Sequence, residues 1–61
     1  MTITANRIRV GDTVTSAGEA FRITGIRNPN YHQAFITFWF RREDNSIGRC
    51  DMMPEWVVTV A

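Results

Sequence analysis

The stretch AFITFWFRR, Ala34 to Arg42, constrains the fold more than any other part of the chain. Phe35, Ile36, Phe38, Trp39 and Phe40 fall within six residues. Aromatic and β-branched side chains at this density favour a strand, and in a strand alternate residues point to opposite faces. Both faces are then apolar, and each needs a cover. A chain of 61 residues has little to spare for two covers, because a domain of that size buries only about 60% of the surface its unfolded chain exposes.

Hydrophobic residues make up 44% and charged residues 21%, the balance of a globular chain rather than a disordered one. Residues 1–61 are expected to form a single domain, with residues 1–6 either flexible or a strand that covers part of the sheet. Cys50 is the only cysteine and His32 the only histidine, so neither an intramolecular disulfide nor a zinc site is expected. This usage fits a reducing, cytoplasmic setting. The N-terminal MTITANRIRV lacks an apolar signal core, and no run approaches the roughly 18 apolar residues that span a bilayer. A net charge of +1 is far from the basic balance of a dedicated DNA-binding domain. All seven basic residues are Arg, a codon signature pointing to a high-GC bacterium or its phage.

No window carries an uninterrupted helical pattern. Ile8-Arg9-Val10 leading through Gly11-Asp12 into Thr13 to Thr15, then Ala20 to Ile26, Ala34 to Arg42, Ile47 to Met53 and Trp56 to Val60, read instead as five short strands. Turn residues separate them at Ser16-Ala17-Gly18, Asn28-Pro29-Asn30 and Asp44-Asn45-Ser46. The third of these strands is expected to be the longest. Phe21 and Ile23 share one parity and Ile26 the other, so a bulge at Gly25 is needed to return Ile26 to the same face. Gly11 is expected at positive φ, with the Asp12 carboxylate accepting local backbone N–H groups.

Val10-Gly11-Asp12-Thr13-Val14, with Phe21 to Ile26 after it, resembles the opening of SH3-like small barrels of the KOW and Tudor type. Met53-Pro54-Glu55-Trp56-Val57-Val58 is similar to the apolar-Pro step and short 3₁₀ turn before their final strand. The Trp39-Phe40 pair resembles one found in a group of bacterial SH3-like proteins. The resemblance implies an all-β fold, a five-stranded, antiparallel SH3-like small barrel, and a role in binding proteins or nucleic acid.

The loop after Arg42 decides which residues share a face. A two- or four-residue loop sets Phe38 opposite Asp51 and Phe40 opposite Arg49, mixing charge with aromatic rings. A three-residue loop sets Phe40 opposite Cys50, Phe38 opposite Met52, Trp39 opposite Asp51 and Arg41 opposite Arg49, with Asn45 in the left-handed region. The three-residue loop sorts polarity and is the expected one. Ile36, Phe38, Phe40, Gly48, Cys50 and Met52 then turn inward, while Phe35, Thr37, Trp39 and Arg41 face outward beside Arg22, Thr24, Arg49 and Asp51. Phe35 and Trp39 are either covered by Met1 to Asn6 or the Pro54 to Trp56 turn, or exposed for recognition. Cys50 reads as a small hydrophobe, and Trp56 as a packing residue locking the last strand.

No nucleophile, base and orienting group can be assembled, and no phosphate-cradling glycine loop or metal spacing occurs. The chain is expected to be a non-enzymatic interaction module without a cofactor or small-molecule substrate. Its partner is expected to be a protein or a second copy, bound through Arg22, Tyr31, Phe35, Trp39, Arg41 and Arg49. Such a module fits an accessory or host-directed factor of a bacterium or phage. The alternative is a nucleic-acid-binding barrel that stacks bases on Trp39 or Phe35 while arginines meet phosphates.

Overall fold

The computed structural model describes residues 1–27 and 35–61. Six strands, β1 (Thr2–Thr4), β2 (Thr13–Ser16), β3 (Glu19–Arg27), β4 (Ile36–Arg41), β5 (Ile47–Met52) and β6 (Val57–Val60), form one antiparallel sheet in the order β1-β6-β2-β3-β4-β5. Five of them match expected strands, but Ile8-Arg9-Val10, expected to lead into the first of these, lies outside any strand. The sixth, β1, comes from the N-terminal residues and pairs Thr2 with Thr59 and Thr4 with Val57. The longest is β3, at nine residues, rather than the strand containing Trp39. Expectations for Asn28-Pro29-Asn30, Tyr31 and His32 lie outside the described residues.

Each local turn follows from its sequence. β2 and β3 are joined by Ala17 and Gly18, at φ 53° and 80°. Two consecutive positive φ values define the primed turn whose twist matches a hairpin, and Gly18 adopts its value freely whereas Ala17 is sterically strained. Ala17→Asn is therefore expected to raise stability by about 0.5–1 kcal/mol, read as a higher denaturation midpoint at unchanged slope. Gly11 is at φ 98°, and the Arg9 N–H donates to Asp12 Oδ2 at 2.9 Å, as expected for this corner. Further along, Ile23 pairs with Phe40 and Gly25 with Trp39, so Thr24 is the additional residue of the expected bulge. Beyond it Ile26 returns to the inner face, opposite Phe38.

The β4–β5 hairpin corrects one expectation and keeps another. Its loop has three residues, but they are Glu43, Asp44 and Asn45, one step earlier than Asp44 to Ser46. The Asn45 N–H donates to the Arg42 carbonyl and the Arg42 N–H to the Ser46 carbonyl, both at 2.9 Å. A three-residue loop places its left-handed residue last, after a type I turn, and Asn45 holds that position at φ 70°. The register accordingly moves by two residues. Phe38 faces Cys50, Trp39 faces Arg49, Phe40 faces Gly48 and Arg41 faces Ile47. A shift of two preserves side-chain parity, so every inward and outward assignment in these strands stands. Asp44 tightens the loop by accepting from the Ser46 hydroxyl at 2.6 Å and the Ser46 N–H at 2.9 Å. The Ser46 hydroxyl, followed by its N–H, holds the Asp44 carboxyl below the usual carboxylate range.

The inner face carries the core: Val14, Ile23, Ile36, Phe38, Phe40 and Val60 are buried, with Ile3, Phe21, Ile26, Cys50, Met52 and Val58 packed around them. A single sheet can enclose such a core only by curling. The β5–β6 connection requires it, because residues 53–56 include a tight turn in which the Trp56 N–H donates to the Met53 carbonyl at 3.1 Å. Four strand spacings separate β5 from β6, roughly 19 Å on a flat sheet, whereas this span of chain reaches at most roughly 18 Å even when fully extended.

The sheet is nevertheless not a closed barrel, since among the described residues no ladder joins β1 to β5. The segment after β1 covers the core instead, through Ala5 and Ile8, exposed by only 1% and 5%. It is pinned by the Ala5 N–H donating to the Trp56 carbonyl at 2.7 Å and the Asn6 N–H to the Pro54 carbonyl at 3.1 Å. A three-residue 3₁₀ helix lies here, at Ala5–Arg7, while a single turn closed by the Trp56 N–H and the Met53 carbonyl precedes the final strand. Trp56 does not lock the last strand by packing, as expected of it; its side chain is exposed, and its backbone carbonyl makes the connection.

Candidate interaction face

The outer faces of β3, β4 and β5 present three cross-strand rows. Arg22, Arg41 and Ile47 form the first, Gly25, Trp39 and Arg49 the second, and Arg27, Thr37 and Asp51 the third. Four arginines, Arg22, Arg27, Arg41 and Arg49, therefore occupy ladder positions neighbouring Trp39. Trp39 is half-buried. Its ring lies across Gly25, where a side-chain Cβ would sit 3.5 Å from Cε3. The missing glycine side chain gives Trp39 a flat backbone bed, and Arg49 flanks it on the next strand.

The charges in the first row are unbalanced. Arg22 stands directly opposite Arg41, and like charges in that relation oppose each other. The acid on the same face, Asp51, is two rows away and accepts from the Thr37 hydroxyl at 2.7 Å. Glu43 is nearer. It lines, with Thr13, Arg22, Thr24 and Arg41, an open groove of about 580 Å³ beside the hairpin loop.

The structure thus brings together four of the six residues singled out in the sequence: Arg22, Trp39, Arg41 and Arg49. Phe35 precedes β4 and is half exposed, at 50%; Tyr31 lies outside the described residues. The N-terminal segment, one of the alternative covers for Phe35 and Trp39, is engaged elsewhere, with β1 on β6 and Ala5 and Asn6 on the 53–56 turn. Sequence reasoning missed Arg27, whose outward position follows from the bulge that restores Ile26. It also missed Arg42, which sits over the Phe40 ring with Cζ 5.1 Å from the centroid.

Cys50 is half-buried against the core rather than fully enclosed. Burial, reinforced by the Asp51 charge, pushes its thiol above the usual range. Among the described residues, no three His, Cys, Asp or Glu side chains group so as to hold a metal ion, and no helix is long and apolar enough to cross a membrane. Comparisons with protein-family models, with curated proteins and with solved structures find no match.

Proposed function

We propose that this chain is a non-enzymatic interaction module that binds a protein partner bearing carboxylates through the outer face of β3, β4 and β5. The observation carrying this reading is the Arg22–Arg41 pair one row from Trp39 and Arg49. Buried aromatic and arginine side chains are the usual energetic centres of interfaces, and a carboxylate between Arg22 and Arg41 relieves their repulsion. A net charge of +1 suits a local anionic contact better than a long polyanion. The fold proposed for the module is SH3-like: β2 to β6 supply five strands, the last returns beside the first, and β1 is an added edge.

The second reading is single-stranded nucleic acid. An aromatic residue with arginines at neighbouring ladder positions favours it, since one stacked base contributes about 1–3 kcal/mol.

Capture from a nuclease-treated bacterial lysate, comparing the wild type with Trp39→Ala and Arg41→Glu, separates the two. Proteins held by the wild type and lost from both variants support the first reading. Retention only when nuclease is omitted supports the second, and identical retained sets from all three baits overturn both. Trp39→Ala is expected to weaken partner binding by at least about thirtyfold, the scale of a 2 kcal/mol interface residue. Its stability loss is expected to stay below the 3–5 kcal/mol of a fully buried aromatic, measured by chemical denaturation.

A further inference from the structure

We propose that two copies of the chain pair antiparallel through their β5 strands, about a twofold axis at Cys50. This inference shares Arg49 and Asp51 with the outer face of β3, β4 and β5 but does not require that face to bind another protein.

β5 is one end of the sheet, and among the described residues its outer edge pairs with no strand. An unpaired edge is a template for another strand. The opposite end is blunted by length, since β1 has only three residues. β5 has six, contains no proline, and carries Ile47 at 65% exposure.

Backbone alternation selects the possible registers. The Arg42 N–H bonds to the Ser46 carbonyl across the hairpin. Hydrogen-bonded and non-hydrogen-bonded pairs alternate along an antiparallel ladder, so Gly48, Cys50 and Met52 direct their backbone groups toward β4. Ile47, Arg49 and Asp51 direct theirs to the open edge. A second β5 must therefore bond through those same odd positions.

Charge then selects one register among them. Pairing centred on Gly48 sets Arg49 opposite Ile47 with no charge complement, pairing centred on Arg49 sets Arg49 against its own copy, and pairing centred on Asp51 does the same with two carboxylates. Pairing centred on Cys50 sets Arg49 opposite Asp51 of the second copy, twice by symmetry, in the hydrogen-bonded positions. Among the described residues Asp51 accepts one side-chain hydrogen bond, from Thr37, which leaves carboxylate lone pairs for the guanidinium. On the inner face the same register sets Gly48 opposite Met52 of the second copy, small against large. It also sets Cys50 opposite Cys50 in a non-hydrogen-bonded pair, where Cα atoms approach to about 4.5 Å, within the range a disulfide can bridge. Six residues a side form less than a standard interface, so the dimer is expected to depend on concentration.

The test is a charge-reversal cycle read by sedimentation equilibrium on the purified chain. The wild type is expected to move from 7.0 kDa toward twice that mass as concentration rises. Arg49→Asp and Asp51→Arg are each expected to weaken association at least about tenfold, because each places like charges opposite at two sites. The double variant Arg49→Asp/Asp51→Arg is expected to regain it. Should a variant fail to fold, oxidation of the wild type with copper(II)–phenanthroline at alkaline pH supplies an independent reading. The two Cys50 thiols lose two protons, the oxidant takes two electrons, and one S–S bond forms. Covalent dimer is expected faster from folded than from denatured protein at equal concentration. A wild type that stays monomeric up to ~1 mM, an association unmoved by both single reversals, or cross-linking no faster in the folded state would each overturn the proposal.

Discussion

Replacing Phe38 with alanine is expected to leave the chain unfolded at room temperature. Phe38 is the largest fully buried side chain among the described residues, at 0% exposure. It lies between Ile26 on β3 and Cys50 on β5 in the middle of the curled sheet. Removing a buried Phe costs about 3–5 kcal/mol, and a core of this size rarely supplies more than about 3–5 kcal/mol in total. Loss of the folded signal in circular dichroism and a collapse of amide chemical-shift dispersion are the expected observations. Phe38→Leu, which keeps most of the volume, is expected to fold with a lowered midpoint. A cooperative, near-wild-type transition for Phe38→Ala would mean that the core does not converge on this ring.

Gly48→Ala is expected to destabilise the fold by about 1–3 kcal/mol, although it adds only a methyl group at a half-buried position. A Cβ there would sit 2.6 Å from both Cε1 and Cζ of Phe40 and 2.8 Å from an Arg42 guanidinium nitrogen. Arg42 can swing away, but Phe40 cannot. Its ring is held edge-on by Phe21, with centroids 5.0 Å apart at 74°, and it is itself buried. The glycine is therefore required for space rather than for backbone freedom. A Gly48→Ala/Phe40→Leu double variant relieves the overlap, so its loss of stability is expected to fall short of the sum of the two single losses, as for residues in contact. Strict additivity in a denaturation cycle would remove this explanation.

These two positions also show which part of the fold is readable in the sequence. That Phe38 and Phe40 point inward is legible, because parity survives any register error of two residues. Which residue lies opposite each is not, because register turns on where Asn45 sits within its loop. The residue type is evident, but its place depends on the left-handed position coming last in a three-residue loop. The crowding at Gly48 is hidden for the same reason, since it exists only once Gly48 rather than Cys50 faces Phe40. The bulge before Ile26 is legible because a parity break inside an apolar strand has few other remedies.

The N-terminal strand and the open sheet are harder to foresee. Thr2–Thr4 is too short to carry a periodic signal, and its pairing with β6 depends on residues at the far end of the chain. Trp56 departs from expectation because a large aromatic ordinarily packs, whereas here the backbone carbonyl of that residue makes the tie to Ala5. At the candidate face, strand parity alone gathers Arg22, Trp39, Arg41 and Arg49. Their grouping into rows, and the opposition of Arg22 and Arg41, emerge only from the ladder itself.

The pairing of β1 with β6 also sets an order of events during synthesis. Residues 2–4 have no partner until residues 57–60 have been made, since Thr2 aligns with Thr59 and the Met1 amino group donates to the Val60 carbonyl at 3.3 Å. The β2–β5 meander can assemble from neighbours, but β6 must first emerge from the ribosome before it can dock on β2 and receive β1. The cover formed by Ala5 and Ile8 follows from that step. A nascent chain stalled before β6 is therefore expected to hold its hairpins while leaving Phe38 and its neighbours open to chaperones and proteases, and protection should arrive in one step with the last strand.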